Sequence, residues 1–125
     1  VSAPSAPLAP TPLSDTEYQR LTRALLAHVE ATVDRWLQDD VIDIDTQRTG
    51  GLLELAFPDG SRIVINTQPP LHEVWMAARA GGHHYKWVQD AWRDTRDGSE
   101  FIAALSAQAS AQAGRALQFP DVTGA

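Results

Sequence analysis

The chain has 125 residues, a mass of 13.6 kDa and 43% hydrophobic composition, which is enough for one hydrophobic core and too little for two. It contains no cysteine, so disulfides, thiolate metal sites and thiol nucleophiles are excluded. Its formal charge of −6 is concentrated: between Glu30 and Asp45 six acids (Glu30, Asp34, Asp39, Asp40, Asp43, Asp45) stand against one base, Arg35, an arrangement that argues against a nucleic-acid partner and for cations or basic protein surfaces.

Residues 1–12 are proline, alanine and serine without periodicity and read as a disordered leader. The domain is expected to run from residue 13 to 119, with a loose tail over 120–125. Ser14-Asp15-Thr16-Glu17 carries the capping-box pattern, with Leu13 and Tyr18 placed as a hydrophobic staple. Tyr18, Leu21, Leu25, Val29, Val33 and Trp36 then recur at spacings of three and four. That stripe predicts an amphipathic helix of about six turns, fraying near Gln38-Asp39-Asp40. Opposite the stripe, Glu30 and Asp34 share a face in the C-terminal half, where the helix dipole disfavours negative charge.

Val41-Ile42-Asp43-Ile44-Asp45 alternates and predicts a first, edge strand with Asp43 and Asp45 on one face. Acids from helix, connection and strand would then converge. Such charges can simply keep an edge strand from pairing with another chain. The breach of two local helix rules in the same place favours a site instead.

The stretch from Gly51 to Ala77 organises the rest. Leu53, Leu55 and Phe57, then Ile63 and Ile65, alternate about Pro58-Asp59-Gly60 and predict a hairpin. After Pro69-Pro70 a further strand is expected over Leu71 to Ala77, with Val74 and Met76 inward and Glu73 and Trp75 on the other face. Gly81-Gly82 turns into a strand over 83–88, and a short one follows around Trp92. Asp97-Gly98-Ser99 introduces a second helix bearing Phe101, Ile102, Leu105, Ala109 and Ala113 on one face, stopped by Gly114. Trp36, Trp87 and Trp92 read as core or strand-packing residues. Helix, a run of strands, then helix predicts an α+β two-layer sandwich, with two helices on one face of an antiparallel sheet of about five to six strands.

No glycine pattern here cradles a phosphate, and no serine sits in a nucleophile elbow. His83 and His84 point to opposite sides of their strand, and His28 and His72 stand alone, so no zinc site is expected. The carboxylates remain; as hard donors they suit Mg²⁺, Ca²⁺, Mn²⁺ or iron. An open ridge without a ligand cage implies weak, multivalent and salt-sensitive binding, and the expected role is non-enzymatic. No apolar run approaches the roughly 20 residues of a membrane span, and the expected location is cytoplasmic.

Asn66, Gln68, Pro70 and Trp75 in INTQPPLHEVWMA, the Gly50-Gly51 and Gly81-Gly82 pairs, and the Asp97-Gly98-Ser99-Glu100-Phe101 helix entry occur in one order. With them, residues 13–119 resemble the frataxin family in its bacterial branch. The resemblance implies a protein of iron-sulfur cluster assembly that binds ferrous or ferric iron weakly, meets the cysteine desulfurase and scaffold, and acts as an iron-dependent regulator or an iron donor. It also implies a monomer in the absence of iron. Carried over by position, the iron ridge corresponds to Glu30, Asp34, Asp39, Asp43 and Asp45, with Asp40 beside it. The partner-binding residues correspond to Asp39, Asp43, Asn66, Gln68 and an exposed Trp75. Ala31, Arg35 and Leu37 stand where bacterial relatives often carry acids. Two other readings are an iron-oxidising or iron-storing protein, against which no Glu-x-x-His pair occurs, and an acidic interaction domain with no specific metal.

Overall fold

The computed structural model describes residues 9–122. Helix α1 (Asp15–Gln38) begins at the capping box, with the Ser14 hydroxyl accepting from the Glu17 amide and the Glu17 carboxylate accepting from the Ser14 amide. Six strands follow: β1 (Asp45–Thr49), β2 (Leu52–Ala56), β3 (Arg62–Gln68), β4 (Glu73–Ala78), β5 (Gly81–Val88) and β6 (Ala91–Asp94). They pair antiparallel in chain order, a meander in which each strand lies beside its predecessor. Helix α2 (Phe101–Ala113) closes the fold, capped by Glu100 at its start and by Gly114 in the left-handed region at its end. This is the expected two-layer sandwich, with both helices on one face of a six-stranded sheet.

The core lies between the layers. Leu53, Leu55, Ile63, Ile65, Val74, Met76 and Tyr85 from the sheet meet Tyr18, Leu25, Val29 and Val33 of α1 and Phe101, Ile102, Leu105 and Ala109 of α2, all buried. Each such aliphatic side chain contributes about 1.5–3 kcal/mol when fully buried. Thr22 and Thr32 are also buried on α1, where their hydroxyls donate to the carbonyls of Tyr18 and His28 one turn back. Among the described residues no buried side-chain polar atom lacks a partner.

Tyr18 joins helix to sheet. Its hydroxyl donates to the Glu73 carbonyl at 2.5 Å and accepts from the Gln68 amide at 3.0 Å, bracketing the break between β3 and β4. His72 stacks on its ring at a centroid distance of 4.8 Å.

Three strand boundaries differ from expectation. The first strand runs over Asp45–Thr49 rather than 41–45, because the Gly50-Gly51 turn sets Thr49 opposite Leu52 and so places the pairing segment later. Ile44 is buried and Val41 and Ile42 are half-buried in a connection folded against the helix end, where the amides of both Val41 and Ile42 donate to the Trp36 carbonyl. Burial in an irregular segment thus produced an alternation resembling a strand. The fourth strand starts at Glu73 rather than Leu71, since Pro69–Leu71 forms a 3-10 turn and His72 adopts φ 51°. The fifth strand begins at Gly81 rather than at His83, because Gly81 and Gly82 pair with Ala78 and Ala77 and the turn falls on Arg79 and Ala80. At Gly51 a β-carbon would lie 2.0 Å from the Thr67 hydroxyl oxygen, so the close approach of the first turn to β3 requires glycine.

The described ends are tied down. Thr11, in the segment read as leader, donates its amide to the Trp87 carbonyl and accepts from the Gln89 amide, whereas residues 1–8 lie outside the described residues. In the tail, the Pro120 carbonyl accepts from His28 Nε2 at 2.6 Å and Val122 packs on the core.

Candidate functional site

The six acids of the charged stretch fall on three kinds of backbone. Glu30 and Asp34 belong to α1; Asp39 caps its C-terminus, donating its amide to the Arg35 carbonyl; Asp40 turns the chain at φ 56°. Asp43 is exposed in the connection, and Asp45 opens β1. Asp34, Asp39, Asp40, Asp43 and Asp45 are all exposed, and Glu30 is half-buried. Thr46 and Arg48 stand opposite the core residues Leu55 and Leu53, so Asp45, opposite Ala56, faces the solvent side of the sheet while Glu30 lies on the helix side.

Two bases from outside the Glu30–Asp45 stretch enter this region. Arg48 pairs with Glu30 at 2.8 Å, and Arg115 donates to the Val41 carbonyl. Neither was foreseeable from the local charge balance, because both pairings depend on how the layers stack. Among the described residues, no group of three or more histidines or acids is placed to hold a metal ion. The acids of this stretch are therefore single carboxylates on the helix, the connection and the strand start. Each can offer one or two hard oxygen atoms to a cation whose remaining ligands are water, which suits weak, multivalent capture rather than a closed site.

The outer face of the sheet carries the second group of candidates. Across four strands the register aligns Leu52, Asn66, Trp75 and His84, and beside them Gln68, Glu73, Lys86 and Arg93. Asn66, Gln68 and Trp75 are thus brought together, as the sequence reading required. Trp75 faces outward but is half-buried, because its indole stacks on His84 with centroids 4.1 Å apart and planes 8° apart. Its Nε1–H donates to Glu73 Oε1 at 2.7 Å, and the Lys86 ammonium lies 3.1 Å from Glu73 Oε2. Leu52 and Leu71 add exposed apolar surface. Strand parity places Glu73 on the same face as Trp75, whereas His84 and Lys86 become its neighbours only through the pairing of β4 with β5.

The other histidines have structural partners. His83 Nδ1 lies 2.8 Å from the buried Asp94 carboxylate, and His72 Nε2 lies 2.8 Å from Asp15. Burial, and secondarily the Glu73 charge, pushes the Tyr18 hydroxyl up to about 12. Burial and the Asp94 carboxylate likewise raise Tyr85. Asp59 and Asp97 are held below the ordinary carboxylate range by Ser61 and Ser99 in their turns.

With this geometry in view, the comparisons with known proteins are direct. The model of the frataxin-like domain matches residues 11–115. Proteins named "Iron-sulfur cluster assembly protein CyaY" from Burkholderia mallei (strain SAVP1) and Burkholderia pseudomallei (strain K96243) are each 51% identical over 107 residues, covering 86% of this chain and 98% of theirs. Among solved structures, frataxin from Psychromonas ingrahamii superposes with a TM-score of 0.76 at 33% identity, covering 87% of this chain and all of that one. A trimeric frataxin from the yeast Saccharomyces cerevisiae, complexed with ferrous, gives a TM-score of 0.65 over 88% of this chain and 94% of that one; at 20% identity it speaks for the fold alone. Among the described residues no helix is long and apolar enough to cross a membrane.

Proposed function

The chain belongs to the frataxin family, and from that premise we propose that it acts in iron-sulfur cluster assembly as a non-enzymatic iron-binding adaptor. The observation that carries this reading is the likeness to named assembly proteins along almost their whole length, joined to the exposed carboxylates of α1, the following connection and β1. Iron is cargo here. Asp34, Asp39, Asp40, Asp43 and Asp45, with Glu30 at one side, hold it loosely and release it readily, because the row supplies charge without a cage.

The same charges attract a basic surface on the cysteine desulfurase, so metal and partner meet on one ridge and each alters the binding of the other. This makes the protein an iron-dependent regulator of the desulfurase and scaffold, with iron donation as the other consequence of the same contact. The outer-face row of Asn66, Gln68 and Trp75 supplies a second docking surface, in which a large aromatic flanked by polar groups serves as the anchor. The protein is monomeric without iron and works in the cytoplasm.

The test is anaerobic capture of desulfurase and scaffold, with and without ferrous iron, by the wild-type protein and by an Asp39→Lys/Asp43→Lys variant with verified fold. Capture by the variant is expected to fall at least about tenfold at low salt, as steering by a charged patch implies, and its iron uptake to fall with it. Equal capture by both proteins would sink the shared-ridge reading.

A further inference from the structure

We propose that Glu73 is a positioning residue for Trp75, fixing the indole on the outer sheet face so that the docking surface is formed before a partner arrives. The proposal rests on the reading of that face as a docking surface and adds to it a residue of distinct role. A tryptophan on an open strand face has two free torsions, and ordering it on contact weakens binding. Here the ring is already held. Its Nε1–H donates to Glu73 Oε1 at 2.7 Å, and His84 covers one face at 4.1 Å.

Glu73 is in turn fixed from several sides. It is only 8% exposed although its side chain belongs to the outer face, and a carboxylate so far out of water needs its oxygens matched. The indole matches one oxygen and the Lys86 ammonium, at 3.1 Å, the other. Lys86 also donates to the Leu71 carbonyl at 3.0 Å, linking the clamp to the 3-10 turn ahead of β4. Below the sheet, the Tyr18 hydroxyl donates to the Glu73 carbonyl and fixes the backbone that carries the carboxylate. His84 Nδ1, 3.8 Å from Glu73 Oε1, completes the surround. A charge-assisted hydrogen bond from the indole and an ion pair with the ammonium thus hold the carboxylate between them, and the carboxylate holds the tryptophan.

The experiment measures solvent exchange of the Trp75 indole proton by ¹⁵N NMR, assigned with Trp75→Phe, beside affinity for the desulfurase-scaffold complex. Glu73→Leu is expected to speed exchange and weaken affinity, each by about tenfold, as loss of a charge-assisted hydrogen bond implies. Glu73→Gln, which keeps an acceptor for the indole, should restore most of both. In a Trp75→Ala background Glu73→Leu should cost nothing further. Unchanged exchange in Glu73→Leu, or affinity losses that multiply with those of Trp75→Ala, would overturn the positioning role. If Trp75→Ala binds the complex as wild type does, the docking reading falls and the role with it. Lost binding in Trp75→Ala beside full binding in Glu73→Leu overturns the role of Glu73 alone. Should Glu73→Leu not fold, Lys86→Met removes the clamp from the far oxygen; unchanged exchange there also overturns the proposal.

Discussion

Single side chains carry much of the coupling between the layers, and Tyr18 is the clearest instance. Replacing it with Phe leaves the Glu73 carbonyl and the Gln68 amide without their partner, a loss of about 1–3 kcal/mol to be read as a lowered Tm by calorimetry. Its hydroxyl titrates higher folded than unfolded, so its contribution is complete below the ordinary tyrosine value and fades as pH rises from about 10 towards 12. Tyr85 shifts in the same direction, and melting followed from pH 8 upward should show stability falling above about pH 10, less steeply in Tyr18→Phe. Arg48 offers a second residue-scale test. Because its pair with Glu30 is partly exposed, Arg48→Gln should change stability by no more than about 1 kcal/mol while raising ferrous uptake in anaerobic titration, since Glu30 is released to the ridge. That pair was invisible in the sequence: Arg48 and Glu30 are 18 positions apart and meet only because β1 turns Arg48 towards the helix layer.

At the scale of elements, legibility followed how local the signal was. The capping box of α1, the glycine stop of α2 and the β2–β3 hairpin depend on residues within a few positions, and all stand where the pattern put them. Gly114 at φ 70° is the measurable case: Gly114→Ala should cost about 1 kcal/mol through left-handed strain, seen as a lower denaturation midpoint with unchanged slope. The first strand was misplaced for the opposite reason. Val41, Ile42 and Ile44 are covered by the end of α1 and the core rather than by a ladder, and period-two burial in a connection looks the same as a strand until pairing is known. With β1 beginning at Asp45, Asp43 belongs to the connection and only Asp45 to a strand, so the two do not share one strand face.

For the whole molecule, the proposed binding role of the acids can be weighed against their effect on stability. Asp34 and Asp39 lie at the C-terminal end of α1, where the dipole disfavours them, so Asp34→Asn/Asp39→Asn should stabilise by about 0.3–1 kcal/mol per site and raise Tm by a few degrees. The same variant should take up less ferrous iron in anaerobic titration, which would mark the row as kept for binding at some expense of stability. What the sequence determined alone was the order of elements, the antiparallel sandwich and the charge imbalance, because these rest on periodicity, turn chemistry and composition, which act over short spans; the family came from the resemblance carried by its ordered motifs. What only the tertiary structure decided was the register of β1, the entry of Arg48 and Arg115 into the acidic region, and the clamp of Glu73, Lys86 and His84 around Trp75. Each of those depends on which strands lie side by side and which way each layer faces, and contacts between residues far apart in the chain exist only once the sheet has closed over its helices.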